Sequence, residues 1–598
     1  MHQVISVTDI LLAILANLDA HPSSLAAFAR TCTSLHEPAI GVLWSRLYNL
    51  VPLIKLFPDD AWEMKLKEEE DARYQWRSPM PVVNLTRAPV APHDWLAFDK
   101  YACLVRHLGS DMPVHQEFDN RFAHEHLYYA REHISLTTWQ MLAVCRRTSL
   151  VPWLQSVVWP LTPCHNDIGT ILYLQLLVCP QLRRVTVNPD FPLHDEESVR
   201  CNLPPLESIL GALHTTCPNL EAITMLSFSG PLPSAPIRLS VSSRLSSHLI
   251  AFRHLKSIQC RGVKFSVRDV LRFSAIPVLE SLSIDMFDDD NAPIATENTY
   301  HTSTPWIFAS LTRMSIRLYS LQCYMKLAVA SPSFPQVEEL ELSADALTQS
   351  SIPQLAPVFA NIASLFPPDT LTKITIRDYS SYAHLTISQN VAITPQILRH
   401  LFIFRNLRQL RIAAWSWRTE YGDNLLVDMA AAWPNLRHLD LNTSVEASGW
   451  EKSRFLVTLR GMLTLAWRCR ELNYLGVLFH ADPSSFPDHE ELLEQDLRVV
   501  DGSPVLASLR RLNVSWSTIT NPEQVAAIVS KFFLPSMTVD SACGRWSNGD
   551  FESDTGTESS DNEAWGSVAG LLPVLCGVRE EERKRARRLV ASGRFSAI

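Results

Sequence analysis

The sequence predicts an α/β solenoid, in which short parallel strands line one side of a stacked array and a helix backs each strand. Three observations predict it. The phrase L-x-x-L-x-L keeps returning: WPNLRHLDL (Trp433 to Leu441), CPQLRRVTV (179–187), CPNLEAITM (217–225), IPVLESLSI (276–284), FRNLRQLRI (404–412) and LASLRRLNV (506–514). Segments between the phrases carry helical spacing, as in LESILGALHTTCPNL and TPQILRHLFIFRNL. Finally, the chain has 598 residues, whereas single cores stop growing near ~250–300 residues.

Aligned on its first apolar anchor, the phrase recurs at Leu182, Leu220, Leu255, Leu279, Leu311, Val337, Leu371, Leu407, Leu436, Leu472 and Leu509. That is 327 residues (509 − 182) over ten steps, with a mean near 33 and spacings from 24 to 38. PWLQSVVW, anchored on Leu154, is an earlier and weaker copy. Second and third anchors follow as Val185/Val187, Ile223/Met225, Leu282/Ile284, Ile374/Ile376, Leu410/Ile412, Leu439/Leu441 and Leu512/Val514. Strict alternation over so few residues means a short strand with one buried face. Pro180, Pro218, Pro277, Pro335 and Pro434 stand two residues before the anchor, where proline ends a helix and hands the chain to the strand. A doubly wound enzyme fold also alternates strands with helices, but its strands are covered on both faces and read as continuous apolar runs. Here the x positions are Arg, Glu, Ser, Thr and Asp, so one face is wet. The reading is an irregular leucine-rich-repeat solenoid over residues 95–540, strands concave and helices convex, each unit borrowing its cover from its neighbours.

Residues 1–58 read as a separate helical module. Ser6 with Asp9 forms a capping box, and Ile5 with Ile10 fits a hydrophobic staple. Ile10, Leu11, Ile14, Leu15 and Leu18 then share one helical face, and Leu25, Phe28, Ala29 and Cys32 form a second stripe. Ser34 and Glu37 repeat the capping device before Ile40, Leu43, Trp44 and Leu47. So small a unit has little core and must pack on the array or on a partner.

The residues VTDIL, AILANLD, LAAFARTC and VLW, within about residues 5–47, resemble an F-box, with Thr8 where the family normally carries proline. Together with HEPAIGVLWSRLYNLVPLIKLFP and the repeats behind it, the layout resembles F-box-like leucine-rich-repeat proteins abundant in mushroom-forming fungi. The resemblance implies that the module binds the Skp-type adaptor of a cullin-RING ubiquitin ligase, on its cullin scaffold, through Ile10, Leu11, Ile14, Leu15, Leu18, Leu25, Phe28, Ala29 and Cys32. It also implies a non-catalytic substrate-recognition subunit working in the cytoplasm or nucleus. Two other readings remain open: a helical cap on a repeat scaffold with no ligase link, and a secreted repeat receptor. Against secretion, no Lys or Arg precedes Arg30, and Asp9 interrupts the first apolar stretch.

Residues 59–94 pass from a charge run to a proline-spaced segment and read as a linker with a short polar helix. Residues 541–598 read as an acidic disordered segment (547–565) followed by a basic tail helix, REEERKRARR (579–588), solvated through i,i+4 pairs. The composition is 46% hydrophobic and 19% charged, and the net charge of −9 is mild for this length and argues neither for nor against a nucleic-acid partner; none is expected. No apolar run is long enough to suggest a membrane span. The 12 cysteines form no C-x-x-C pair and read as small buried hydrophobes in a reducing compartment. No phosphate-binding, dinucleotide, zinc-protease or nucleophile-elbow motif occurs, so neither catalysis nor a cofactor is expected. His124 and His126, with His133 nearby, lack partners at zinc spacing, and Asp288–Asp290 lack the pattern of a calcium loop.

Binding is expected where the x residues form one wall: Arg184, Arg313, Arg317, Glu339, Glu341, Lys373, Arg377, Arg411, His438, Asp440, Tyr474 and Arg511, with Gln409 and Asn513 among them. Its surplus of Arg and Lys suits a protein partner bearing acidic or phosphorylated groups.

Overall fold

A computed structural model of the chain describes residues 8–18, 21–67, 80–109, 133–159, 168–187, 196–226, 235–287, 306–318, 321–330, 332–344, 355–378, 391–414, 417–441, 456–485, 508–515, 517–541 and 560–591. The chain forms two units, Met1–Asp285 and Met286–Ile598. Ile5, Ser6, His124, His126, Asp288–Asp290 and residues 547–559 lie outside the described residues.

The first unit opens with three helices, α1 (Thr8–Asn17), α2 (Pro22–Ala29) and α3 (Thr33–Ser45). They enclose a core of Leu11, Leu15, Leu25, Ala29, Leu35 and Ala39. α3 begins one residue before Ser34, with Cys32 at its N-cap, so the expected Ser34 cap lies inside the helix. The chain then enters the strand Arg46–Leu47, which pairs parallel with His107–Leu108. Parallel neighbours follow in chain order: Ser156–Trp159, Arg184–Val187, Ala222–Leu226, Ser257–Phe265 and Ser281–Met286.

In the second unit the parallel order is Arg313–Leu318, Glu339–Ala344, Lys373–Asp378, Gln409–Ala414, His438–Leu441, Tyr474–Val477, Arg511–Ser515 and Thr538–Ser541. Helices such as Asp423–Ala432 and Leu459–Arg468 join successive strands and turn Leu425, Leu426, Met429 and Leu465 toward the sheet. Every anchor named above, from Leu182 to Leu509, is at most 2% exposed; burial alternates strictly along strands such as Ala222–Leu226 and Arg313–Leu318, while His438–Leu441 and Tyr474–Val477 are buried beyond their first residue. Each unit is therefore a parallel-strand α/β solenoid, as the alternation predicts.

Two devices that the phrase does not announce set the repeat. One carbonyl per turn accepts two successive N–H groups from the next strand: Thr312 from Glu338 and Glu339, Glu338 from Thr372 and Lys373, Thr372 from Arg408 and Gln409, Arg408 from Arg437 and His438. The same fork recurs in the first unit at Gln155, Arg183, Glu221 and Lys256. It fixes register before any side chain is read. The residue three before most anchors is the second device, a buried column of Cys179, Cys217, Phe252, Ile276, Phe308, Phe334, Phe404, Trp433 and Cys469, which the exposed Pro368 before Leu371 interrupts. Phe308 stacks on Phe334 at 5.1 Å, and the thiols of Cys179 and Cys217 donate to the carbonyls of Leu154 and Cys179 one turn back. Burial pushes the Cys217 and Cys469 thiols up to about 12, which keeps them protonated and unreactive.

Two segments depart from expectation. In 59–94, Trp62–Lys67 pairs antiparallel with Met80–Leu85, and His133–Ile134 adds alongside, in place of a polar helix. The β-branched and aromatic residues around Val82 and Trp62 favour a strand, and tertiary contacts hold it: Leu85 N–H donates to Thr138 Oγ1, and Arg87 bridges Asp60 (2.8 Å) and Asp94 (3.1 Å). His133 is buried in that small sheet. At the other end a helix runs Ser560–Ala591, so residues 560–565 are helical rather than disordered. Trp565 is buried against the last repeats with Nε1 donating to the Ser517 carbonyl, and Val568, Leu572 and Cys576 follow on the same side. Nor is the basic run wholly solvated. Arg579 donates to Ser530 Oγ at 2.9 Å and Arg583 to the Lys531 carbonyl at 2.7 Å, while Glu580 and Lys584 pair at 2.7 Å.

Candidate functional site: the three-helix module and the outward strand faces

The residues predicted for adaptor binding divide into three groups. Leu11, Leu15, Leu25 and Ala29 are interior, because helices this short have no other apolar material with which to cohere. They hold the module together and cannot also meet a partner. Leu18, Phe28 and Cys32 are half-buried at its rim, where the Cys32 thiol hydrogen-bonds Ser34 Oγ at 3.2 Å and is lowered by it. Ile10 and Ile14 face out, and so does Leu12, which the helical stripe omitted; the three are 40–44% exposed on α1. Ile10 and Ile14, four residues apart, share one face of α1, and that spacing was the available signal; Leu12, two residues from each, stands on another face.

On the first unit's sheet, Arg184 is exposed between Ser156 and Ala222 in register. Its outward neighbours are Thr186, Thr224, Ser257, Gln259 and Ser281. Asp285 is held by Gly262 N–H at 2.7 Å and by Arg261 at 3.3 Å.

In the second unit, strand register brings the predicted residues into rows. One row runs Arg313, Glu339, Lys373, Gln409, His438, Tyr474, Arg511; the next runs Ser315, Glu341, Thr375, Arg411, Asp440, Gly476, Asn513, Asp540. Arg317, Ser343 and Arg377 begin a third. The expected basic clamp does not result. Lys373 pairs with Glu339 (3.3 Å), Arg377 with Glu341 (3.3 Å), Arg411 with Asp440 (3.3 Å) and Arg511 with Asp540 (2.6 Å). Parallel strands about 4.8 Å apart bring each cation within reach of its neighbour's carboxylate, so charge is neutralised within the wall. Arg313 lies in register beside Glu339 as well.

Toward the later strands the wall becomes aromatic. The His438 and Tyr474 rings stack at 4.1 Å and 9°, and the Arg511 guanidinium lies 5.9 Å from the Tyr474 ring centre. Asn513 Nδ2 donates to the Tyr474 hydroxyl at 3.0 Å. Burial, and next the charge of Asp440, raise the Tyr474 hydroxyl above its ordinary value, while the hydrogen bond to Asp540 raises Arg511. This arrangement offers donors, acceptors and flat apolar surface to a partner. Among the described residues no group of three His, Cys, Asp or Glu could hold a metal ion, and no helix is long and apolar enough to cross a membrane.

No family model matches the chain, and no curated protein matches its sequence. Similar solved structures are leucine-rich-repeat proteins and their complexes. One is a leucine-rich-repeat protein of Leptospira interrogans (11% identity, 61% of this chain and 79% of that one, TM-score 0.28). Another is the complex of Rad7 and Elc1 in yeast (14% identity, 62% and 78%, TM-score 0.28), and a third is the complex of TLR13 with a single-stranded RNA (13% identity, 73% and 54%, TM-score 0.30). Likeness this distant says nothing about function, and the fold stands on the strand register above.

Proposed function

We propose that this chain is a non-catalytic substrate-recognition subunit of a cullin-RING ubiquitin ligase. The three-helix module docks on a Skp-type adaptor, and the repeats hold the target protein near the ligase's catalytic arm. One observation carries the reading: the segment resembling an F-box is a helical unit with its own core, yet it leaves Ile10, Leu12 and Ile14 outward on one helix. Ile10 and Ile14, one turn apart on the same side, are surface that a partner can cover. The contribution of such a subunit is proximity, converting a bimolecular encounter into one within a complex.

The target surface fits a partner of mixed charge better than a uniformly acidic one. An acidic or phosphorylated peptide would compete with Glu339, Glu341, Asp440 and Asp540 for the same cations.

The test is co-purification with the adaptor. Ile10→Asp combined with Ile14→Asp abolishes capture while the repeats melt unchanged; undiminished capture refutes the reading. Leu15→Asp is the control, because it unfolds the module instead of altering its surface.

A second reading, a repeat scaffold whose N-terminal helices are a cap, is favoured by the passage of α3 into the strand pairing of Arg46 with His107. It requires target binding with no adaptor capture at all.

A further inference from the structure

We propose that the outer face of the Ser560–Ala591 helix is a self-association surface, on which a second copy of this chain docks its own helix antiparallel. The inner face is accounted for by Trp565, Val568, Leu572 and Cys576 against the last repeats. On the opposite side Leu571, Val574 and Val578, spaced i, i+3 and i+7, are exposed at 37%, 64% and 52%. The other large apolar side chains exposed among the second unit's described residues, Ile307, Val329, Ile403 and Leu456, each stand on a different element. Isolated exposures of that kind are ordinary, whereas an aligned set of three is a seam.

Charge selects the occupant. The first turn of the helix carries Asp561 and Glu563, and its far end carries Arg585 and Arg588. A two-fold axis passing beside Val574 sets Leu571 against the second copy's Val578, and Val574 beside the second copy's Val574. The same axis brings Glu563 beside the second copy's Arg585 and Arg588. Both ends are satisfied by one operation, as an isologous contact requires. Parallel pairing would stack like charge on like and is disfavoured. Gly566, Gly570 and Gly577 have nothing within 4 Å of where a Cβ would stand, so backbones can approach closely on that side. At 1.5 Å per residue the helix is about 48 Å long, enough for several turns of contact. Three apolar residues from each copy make a modest interface, of roughly micromolar strength.

Sedimentation equilibrium of the full chain, over roughly 1–100 µM, tests this by bracketing such a constant. The wild type moves from monomer to dimer over that range, and high salt moves it back. Val574→Glu with Val578→Glu raises the dissociation constant at least tenfold while the melting curve stays unchanged, since both positions point away from the repeats. Arg585→Glu with Arg588→Glu weakens the dimer, and adding Glu563→Arg restores it. A wild type that is monomeric throughout overturns the proposal. So does a dimer indifferent to the Val574/Val578 pair, or a charge reversal that Glu563→Arg does not rescue. A monomer that sediments with phosphatidylserine vesicles through Val574 and Val578 would give the face to a lipid surface instead, and also overturns it.

Discussion

The outward strand faces of the two units share one backbone grammar and differ in nearly everything else. In the first unit they read Ser156, Arg184, Thr186, Thr224, Ser257, Gln259 and Ser281: mostly small and uncharged, with Arg184 and the Arg261–Asp285 pair as charged exceptions. In the second they read Arg313, Glu339, Lys373, Arg411, Asp440, Tyr474 and Arg511, cross-linked by ion pairs and a stack of rings. Both cores are made of the same anchors, Val185 and Ile223 in one, Leu410 and Leu439 in the other, all buried. The difference teaches that anchors and x positions answer to separate constraints. Anchors are held by packing against the neighbouring turns, whereas the x residues can change from hydroxyl to charge without disturbing the stack beneath.

If that separation is real, the largest effects are equal in the two units. Ile223→Ala in the first and Leu439→Ala in the second each cost about 2–5 kcal/mol, as for other buried aliphatics, when read by denaturant unfolding. A loss in one unit several times that in the other would break the comparison.

Next come the wall's ion pairs, where burial decides. Arg411→Ala removes a cation beside the nearly inaccessible Asp440 carboxylate and costs about 1–3 kcal/mol, discounted because Arg411 is itself partly exposed. Lys373→Ala breaks a pair that is exposed on both sides and costs about 0–1 kcal/mol. Arg184→Ala, on the hydroxylated face, stays within about 0.5 kcal/mol of wild type. Thermal melts that ranked these in reverse order would show that the outward faces are not the passive surfaces described.

The smallest effect is the share of the alkaline pH dependence that Tyr474 gives the second wall. Tyr474 holds its proton more tightly when folded than the ordinary value of 10.0. The folded state thus binds more protons than the unfolded one once pH passes 10.0. That stability is fully present below pH 10.0 and is lost as pH rises through the folded value. Tyr474→Phe removes this part of the alkaline decline in melting temperature; an unchanged alkaline slope would show that the hydroxyl is not held as described.

Much of the fold was legible in the residues. Alternation in RRVTV or RHLDL marks a half-buried strand wherever it occurs, and the prolines before Leu182 and Leu436 mark helix ends, because both effects are local. The column three before the anchor was present in the sequence, but Cys, Phe and Trp share no obvious pattern until their common burial is seen. Of the adaptor residues, only Ile10 and Ile14 proved to be well-exposed surface, since one apolar stripe can serve a core or a partner with the same spacing.

What the sequence determined by itself is the period, the anchors and the wet side of each strand, all set by spacing along the chain. Only the tertiary structure decided which charges of the wall cancel, which face of the Ser560–Ala591 helix stays open, and that Trp62–Lys67 is a strand. Those outcomes depend on groups more than a dozen residues apart in sequence yet within a few ångströms in space, such as Lys67 beside Met80, Arg411 beside Asp440 and Trp565 beside Ser517. No local pattern encodes such distances; register and packing create them.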